Sequence, residues 1–246
     1  MRFLVFMSDN RKLTNSTSDY YSLAAAINFQ YCQKHNYDFI YYRPYLNNKD
    51  TISLNNCIDP NTNMYRHPSW SKLISTMLAL ELDYDYVVYT DSDCIFKDFN
   101  RSLEEFIEPY MDNEILFLVN KPYHYDKPCA GFYICKVGCY SMEFIKTWYN
   151  CNTPNTNMNH PWEQDALWSM YTNYKTAIID SMMFLEEENQ FVRHVTIDTK
   201  DRLSDTHHNR ISYFQKIISE KNIDFETSIA QIKYIEYDTR IILKHE

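Results

Sequence analysis

Residues 84–99 read Tyr84-Asp-Tyr-Val-Val-Tyr-Thr-Asp-Ser-Asp-Cys-Ile-Phe-Lys-Asp-Phe99. The run Tyr86-Val87-Val88-Tyr89 is β-branched and aromatic, the composition of a buried strand. It leads straight into Asp91-Ser92-Asp93, and the apolar pair Cys94-Ile95 follows at once. Unpaired carboxylates beside a core are costly. Two of them separated by one residue can share a hard divalent cation, which removes that cost. The plainer alternative is a solvated turn, because Asp and Ser are common turn residues. In open α/β sheets, however, ligands sit beyond the carboxyl ends of strands, and these carboxylates stand at such an end. A metal site at the end of a central strand is therefore the favoured expectation.

Working outward, the 246-residue chain is 45% hydrophobic and 23% charged, enough for a sizeable core with one domain as the default. The 22 tyrosines, with abundant Asn, Ile and Lys, resemble the residue bias of AT-rich coding, so aromatic counts carry no functional weight. Only two glycines occur, which excludes phosphate loops and dinucleotide fingerprints built on repeated glycine. A net charge of −9 argues against nucleic acid as a partner. A nucleotide-sized anion stays admissible, because a bound cation can neutralise it locally. The seven cysteines show no metal-type pairing, and Cys94, Cys129 and Cys135 lie in apolar runs as small core residues. A reducing setting follows, cytoplasmic or in a viral factory. The run Met1–Met7 is too short for a signal peptide or anchor, and no run is long enough to span a membrane.

Along the chain, Arg2–Met7 reads as a first strand, and a helix capped by Ser18 or Asp19 carries Leu23, Ala24, Ile27 and Tyr31 at helical spacing. It ends near His35-Asn36, and Tyr37–Tyr42 is the second strand, an opening that suggests a parallel sheet. Arg43–Pro68 reads as a long polar connection. Ser69 is a cap for a helix whose face holds Trp70, Leu73, Ile74, Met77 and Leu78. Lys72 lies off that face and by position alone reads as a solvated lysine. After the central strand come a short helix at Ser102–Tyr110, a strand at Ile115–Val119 and a turn-rich Pro122–Pro128. Gly131, in Pro128–Cys135, marks either a bulge or the close approach of a ligand. A helix at Ser141–Tyr149 and a polar loop, Asn150–Pro161, follow. Glu163, Gln164 and Asp165 then open another helix, where acidic residues suit the helix dipole and could equally hold ligand hydroxyls. Ala177–Asp180 is a short strand. His194, in the apolar run Phe191–Val195, reads first as a core or surface histidine, and His207-His208 as a solvated turn. From Ile211 onward the chain reads as a helix and two short strands, Ile232–Tyr237 and Arg240–Lys244, with no chemistry.

Taken together, His67-Pro-Ser-Trp70-Ser-Lys72, an apolar helix and Val-Tyr-Thr-Asp91-Ser-Asp93 resemble the signature of the GMA12/MNN10-type galactosyl-, mannosyl- and xylosyltransferases, in which a W-x-K helix start precedes an aromatic strand ending in D-S-D. Asn28-Phe-Gln-Tyr31-Cys-Gln-Lys-His35-Asn-Tyr37 resembles the family's N-x-x-Y-x-x-x-H-x-Y segment. Cys129-Ala-Gly131-Phe-Tyr-Ile resembles its N-A/T-G-S-F-L strand, with Cys129 in place of the Asn. Glu163-Gln164 resembles its D/E-Q pair, and Phe191-Val-Arg-His194 its late metal histidine, here followed by Thr196-Ile197 instead of Gly-Cys. The resemblance covers roughly residues 2–214. It implies a GT-A fold, a single Rossmann-like α/β/α sandwich with a mixed central sheet. A nucleotide-sugar half would run to about residue 125, and an acceptor half over about 126–246. It further implies a nucleotide-sugar donor, a UDP-sugar by default, a Mn²⁺ ion and retention of configuration on transfer to a glycan or glycoprotein. Asp91 and Asp93 would hold the metal and the ribose or diphosphate, with His194 as the third metal ligand, for which His207 and His208 are alternatives. Lys72 and Ser92 would meet the nucleotide diphosphate or ribose. Ala130 and Gly131 would pass under the donor sugar. Glu163 and Gln164 would contact donor or acceptor hydroxyls, and Glu163 and Asp165 are the carboxylates for a retaining step.

The residues support this chemistry by themselves. A departing nucleoside diphosphate gains negative charge, and a divalent cation with a nearby lysine stabilises it. Asp-X-Asp offers oxygen ligands to Mn²⁺ or Mg²⁺, and one imidazole favours Mn²⁺. The nearest rival is a glycogenin-like family-eight transferase, whose long donor-loop motifs are not visible here. A haloacid-dehalogenase-type phosphatase would need its D-x-D at the first strand and Thr or Val where Ile95 stands. A non-catalytic sugar-binding scaffold is the remaining alternative.

Overall fold

Strict alternation along the first strand sets the layers. In the computed structural model, Phe3, Val5 and Met7 enter one core and Leu4 and Phe6 the other. The structure describes residues 1–48, 51–53, 57–119, 126–151, 157–179, 190–195 and 206–239. In chain order the first half holds β1 (Phe3–Ser8), α1 (Tyr20–His35), β2 (Asp38–Asn48), β3 (Thr51–Ser53), β4 (Cys57–Ile58), β5 (Tyr65–Arg66), α2 (Ser71–Leu80), β6 (Tyr86–Thr90), β7 (Cys94–Phe96), α3 (Leu103–Ile107) and β8 (Ile115–Val119). The second half holds β9 (Pro128–Lys136), α4 (Cys139–Asn150), α5 (Glu163–Met170), β10 (Thr176–Ile179), β11 (Val192–His194), α6 (Thr206–Glu220), α7 (Phe225–Gln231) and β12 (Lys233–Asp238).

The central sheet runs β10-β8-β9-β6-β1-β2-β12, with β3 paired to the far end of β2. The sheet is mixed: β9 is antiparallel to both neighbours, and the other pairs along this path are parallel. Helices cover both faces. Residues of α1, α3, α6 and α7 build one core, and residues of α2, α4 and α5 the other. This is the expected α/β/α sandwich. Strands from both chain halves share the sheet, because β9 lies between β8 and β6, and β12 lies beside β2.

The structure corrects three expectations from local pattern. Arg43–Pro68 is not one long loop: β2 continues to Asn48, and the short β3, β4 and β5 follow, with β4 pairing antiparallel to β5. Such short strands are defined by their pairing rather than by a periodic run, so the sequence conceals them. Ser69 is not the cap. His67 Nδ1 accepts the Ser69 N–H at 3.2 Å and opens a 3-10 turn, Pro68–Trp70, that feeds α2. Asp19 stands at the N-cap of α1 without a side-chain cap bond. The expected strand at Arg240–Lys244 lies outside the described residues, as do most of Pro122–Pro128 and part of Asn150–Pro161.

One face of α1 positions the segment that follows the Asp-Ser-Asp. β7 pairs with β11 along one edge, where the Val195 N–H donates to Asp93 O and the Lys97 N–H to Phe191 O. Its other edge is read by Asn28, whose Nδ2 donates to Cys94 O at 2.9 Å and whose Oδ1 accepts the Phe96 N–H at 3.0 Å. Tyr31 stacks on Phe96 at 3.9 Å, and His35 Nε2 donates to Phe99 O at 2.9 Å. Tyr37 bonds Glu104 and accepts the Leu103 N–H. The Asn-Tyr-His-Tyr spacing is thus a clamp on residues 94–104. Asn28→Ala orphans a buried N–H and C=O and is expected to lower stability by about 3 kcal/mol. In urea denaturation the midpoint should fall with an unchanged slope.

Candidate metal centre

The site lies at the carboxyl end of β6, where backbone pairing persists one residue past the strand: the Asp91 N–H donates to Gly131 O at 2.8 Å. On β9, Tyr133 pairs with Phe117 of β8, but the next residue, Leu118, pairs with Cys129. Ala130, Gly131 and Phe132 therefore bulge away from β8 while Phe132 keeps its partner on β6. Gly131 is a residue of that bulge, and the side chains of His194 and Asp91 pack closely against it. A Cβ there would lie 2.7 Å from His194 Cε1 and 3.1 Å from Asp91 Oδ2.

Asp91, Asp93 and His194 present one ligand atom each, all within 4.8 Å of one another. Two carboxylates and an imidazole at that spacing, under a glycine whose lack of a side chain keeps the space open, fit a divalent cation. His194 is brought there by the β7–β11 pairing, which sets it opposite Cys94. Its Nε2 meets Asp93 Oδ1 at 2.7 Å, and its Nδ1 lies 3.8 Å from Cys129 Sγ. Burial works to lower the His194 pKa, but the Asp93 carboxylate outweighs it and the imidazole is pushed up to about 10. Burial likewise works against the Asp93 charge, yet His194 and Arg210 hold that carboxyl well below its usual range.

Lys72 contradicts its positional reading as a solvated residue. It is 4% exposed, and Nζ lies 2.8 Å from both Asp91 Oδ1 and Glu163 Oε1. It also donates to Ala130 O at 3.3 Å. Burial would favour the neutral amine, but Asp91 and Glu163 reverse that and raise its pKa. The lysine points inward because carboxylates distant in sequence await it there, which no helical periodicity records. Beneath it, Tyr89 donates to Asp91 Oδ1.

Glu163 is 4% exposed, and its Oε2 has no hydrogen-bond partner among the described residues. Gln164 Oε1 accepts the Ala130 N–H at 3.0 Å, a donor that the bulge frees from β8. Trp168 ties the same helix to Pro128 O at 2.8 Å. Asp165 lies in the first turn of α5, with no ion pair to the cluster among the described residues. His207 and His208 fall in the first turn of α6 instead of a loop, and their side chains lie outside the described residues.

Two arginines escaped the sequence reading. Arg11, which ion-pairs with Asp9, donates to Ser92 Oγ at 3.0 Å. Arg210 on α6 meets Asp93 Oδ2 at 2.6 Å. Each sits in a polar stretch without a motif, so only proximity in space marks them.

No protein-family model matches the chain, and no curated protein matches it. Solved structures do. A glycosyltransferase involved in the glycosylation of the major capsid of PBCV-1 has a TM-score of 0.63 at 13% identity, covering 88% of this chain and all of that one. The apo-form glycosyltransferase GlyE of Streptococcus pneumoniae TIGR4 has a TM-score of 0.54 at 12% identity, covering 95% of this chain and 64% of that one. The fold is GT-A. Asp91-Ser92-Asp93 is a D-x-D-like segment, and with His194 its carboxylates form a cluster able to hold a metal ion.

Gly131→Ala should fold and lose Mn²⁺ affinity by about tenfold or more, read by titration calorimetry, because the added methyl collides with the imidazole and carboxylate it must lie under. The His194–Asp93 pair also has a pH signature. A histidine whose pKa rises from 6.5 to about 10 on folding contributes stability in full below pH 6.5 and loses it as pH climbs through 10. In chelator, the melting-temperature gap between the native protein and His194→Gln should be widest near pH 6 and close toward pH 10.

Proposed function

We propose that this chain is a divalent-cation-dependent, retaining glycosyltransferase related to the galactosyl-, mannosyl- and xylosyltransferase family that its motifs resemble. It would move a hexose or pentose from a nucleotide sugar, with UDP as the nucleotide, to a glycan or glycoprotein. The observation that carries this reading is the cluster of Asp91, Asp93 and His194 at a strand's carboxyl end, joined through buried Lys72 to Glu163. The likeness of fold to two glycosyltransferases supports it. The PBCV-1 enzyme's part in capsid glycosylation makes a glycoprotein the first acceptor to test.

A cation held by Asp91, Asp93 and His194, Mn²⁺ by the imidazole's preference and Mg²⁺ as the oxygen-only alternative, would neutralise charge developing on the diphosphate. Lys72 adds a fixed positive charge within a buried network, where it acts more strongly than in water. Ser92, on the rim, offers a hydroxyl to the nucleotide. Ala130 and Gly131 form a floor with no side chain larger than methyl, and Gln164, held by the Ala130 N–H, has amide hydrogens for sugar hydroxyls. Glu163 would serve the retaining step. Its Oε1 is tied to Lys72, and its buried Oε2 has no hydrogen-bond partner among the described residues, so on this reading it would act as nucleophile or as the group that steadies same-face attack. Asp165 is assigned to acceptor hydroxyls.

Asp93→Ala is expected to abolish donor hydrolysis and transfer while retaining a cooperative melt. In the native protein UDP should raise the melting temperature only with Mn²⁺ present, and EDTA should remove the shift. Mass spectrometry of products from a panel of nucleotide sugars would name the sugar. Undiminished turnover in Asp93→Ala, or no nucleotide-dependent shift with any metal, would sink the proposal.

A further inference from the structure

Both oxygens of Asp93 already meet basic side chains. Oδ1 faces His194 Nε2 at 2.7 Å, and Oδ2 faces Arg210 Nη2 at 2.6 Å. Arg210 Nε donates to Val195 O at 2.7 Å, so the guanidinium is wedged between the carboxylate and the segment that carries His194. Its Cζ lies 5.1 Å from the centroid of the Tyr20 ring, which the Arg11 Cζ also faces at 4.7 Å. Besides His194 on Asp93, Asp91, Ser92 and Asp93 thus each meet a lysine or arginine from a different element: Lys72 from α2, Arg11 from the β1–α1 loop and Arg210 from α6.

We propose that Arg210 is an exchangeable counter-ion, which neutralises Asp93 until the cation binds and then passes to a phosphoryl oxygen of the nucleoside diphosphate. The inference rests on the metal–diphosphate reading of the site given above. Charge supports it. The carboxylates Asp91, Asp93 and Glu163 exceed Lys72 and Arg210 by one negative charge, so a divalent cation ligated by neutral His194 leaves a surplus of one positive charge. Within a half-buried site that surplus needs an anion. Arg210 is the group that the cation displaces from Asp93, and a guanidinium fork suits phosphate oxygens. Tyr20 and Val195 O keep it at the rim when it leaves the carboxylate.

The test pairs two titrations on the purified full chain: Mn²⁺ alone, and UDP at saturating Mn²⁺. Arg210→Gln removes a charge that competes with the metal, so Mn²⁺ alone should bind about threefold tighter. It also removes a phosphate ligand, so UDP should bind about tenfold weaker. Arg210→Lys, which keeps the charge and loses the fork, should leave Mn²⁺ affinity unchanged and weaken UDP only about threefold. Lys216→Gln, an exposed substitution on the same helix, should move neither value. A purely structural role for Arg210 weakens both ligands together without rescue by lysine, and that outcome overturns the inference. So does native UDP affinity in Arg210→Gln. If that variant fails to melt cooperatively, Arg210→Lys decides alone, and native UDP affinity there overturns it equally. If the native protein binds neither Mn²⁺ nor UDP, the proposed function fails and takes this inference with it. If it binds both and the variants match it, only this inference falls.

Discussion

Two carboxylates carried into a folded protein at the end of a buried strand must be neutralised, and the architecture around residues 91–93 answers to that demand. Lys72 is drawn off the surface of its helix into a position where it is 4% exposed, and there it joins Asp91 to Glu163. His194 and Arg210 close on Asp93 from β11 and α6. None of these partners is close in sequence to the aspartates. The charge therefore does what a hydrophobic contact cannot: it ties helices on opposite faces of the sheet to one point at its rim. Removing a single partner from such a network leaves another charge uncompensated, which is why these groups stand or fall together.

The second constraint is steric. β9 runs against its neighbours and lets go of β8 for three residues, which frees the Ala130 N–H for Gln164 and turns the backbone at Gly131 toward the cluster. With α5 pinned to that bulge by Gln164 and Trp168, Glu163 inherits its position from an irregularity in a strand. Precise placement of a charged group here comes from hydrogen bonds to backbone that a regular ladder would have consumed.

Much of this was legible in the chain. The apolar runs of β1 and β6, the helical spacing of α1 and the Asp-X-Asp at a strand end are local signals, and they located the sheet and the centre of the site. Lys72 was legible through its motif and misleading through its position, because burial by ion pairing leaves no periodic trace. The short β3, β4 and β5 were hidden for the same reason, since their existence depends on who pairs with whom. Arg11 and Arg210 were invisible. An arginine in a polar run looks solvated whatever it meets in space, and nothing in sequence joins residue 210 to residue 93.

The placement of β12 beside β2 bears on how the molecule is made. β2 pairs with β1 as soon as α1 has turned the chain back, yet its other edge waits for residues 233–238. During synthesis that edge presents unpaired N–H and C=O groups, the arrangement most prone to recruit a strand from another molecule. Among the described residues β12 is the strand that covers it, and it carries exposed Lys233 and Glu236, where charge discourages further addition. Solubility of a nascent or truncated chain should thus hinge on six residues that never approach the metal centre.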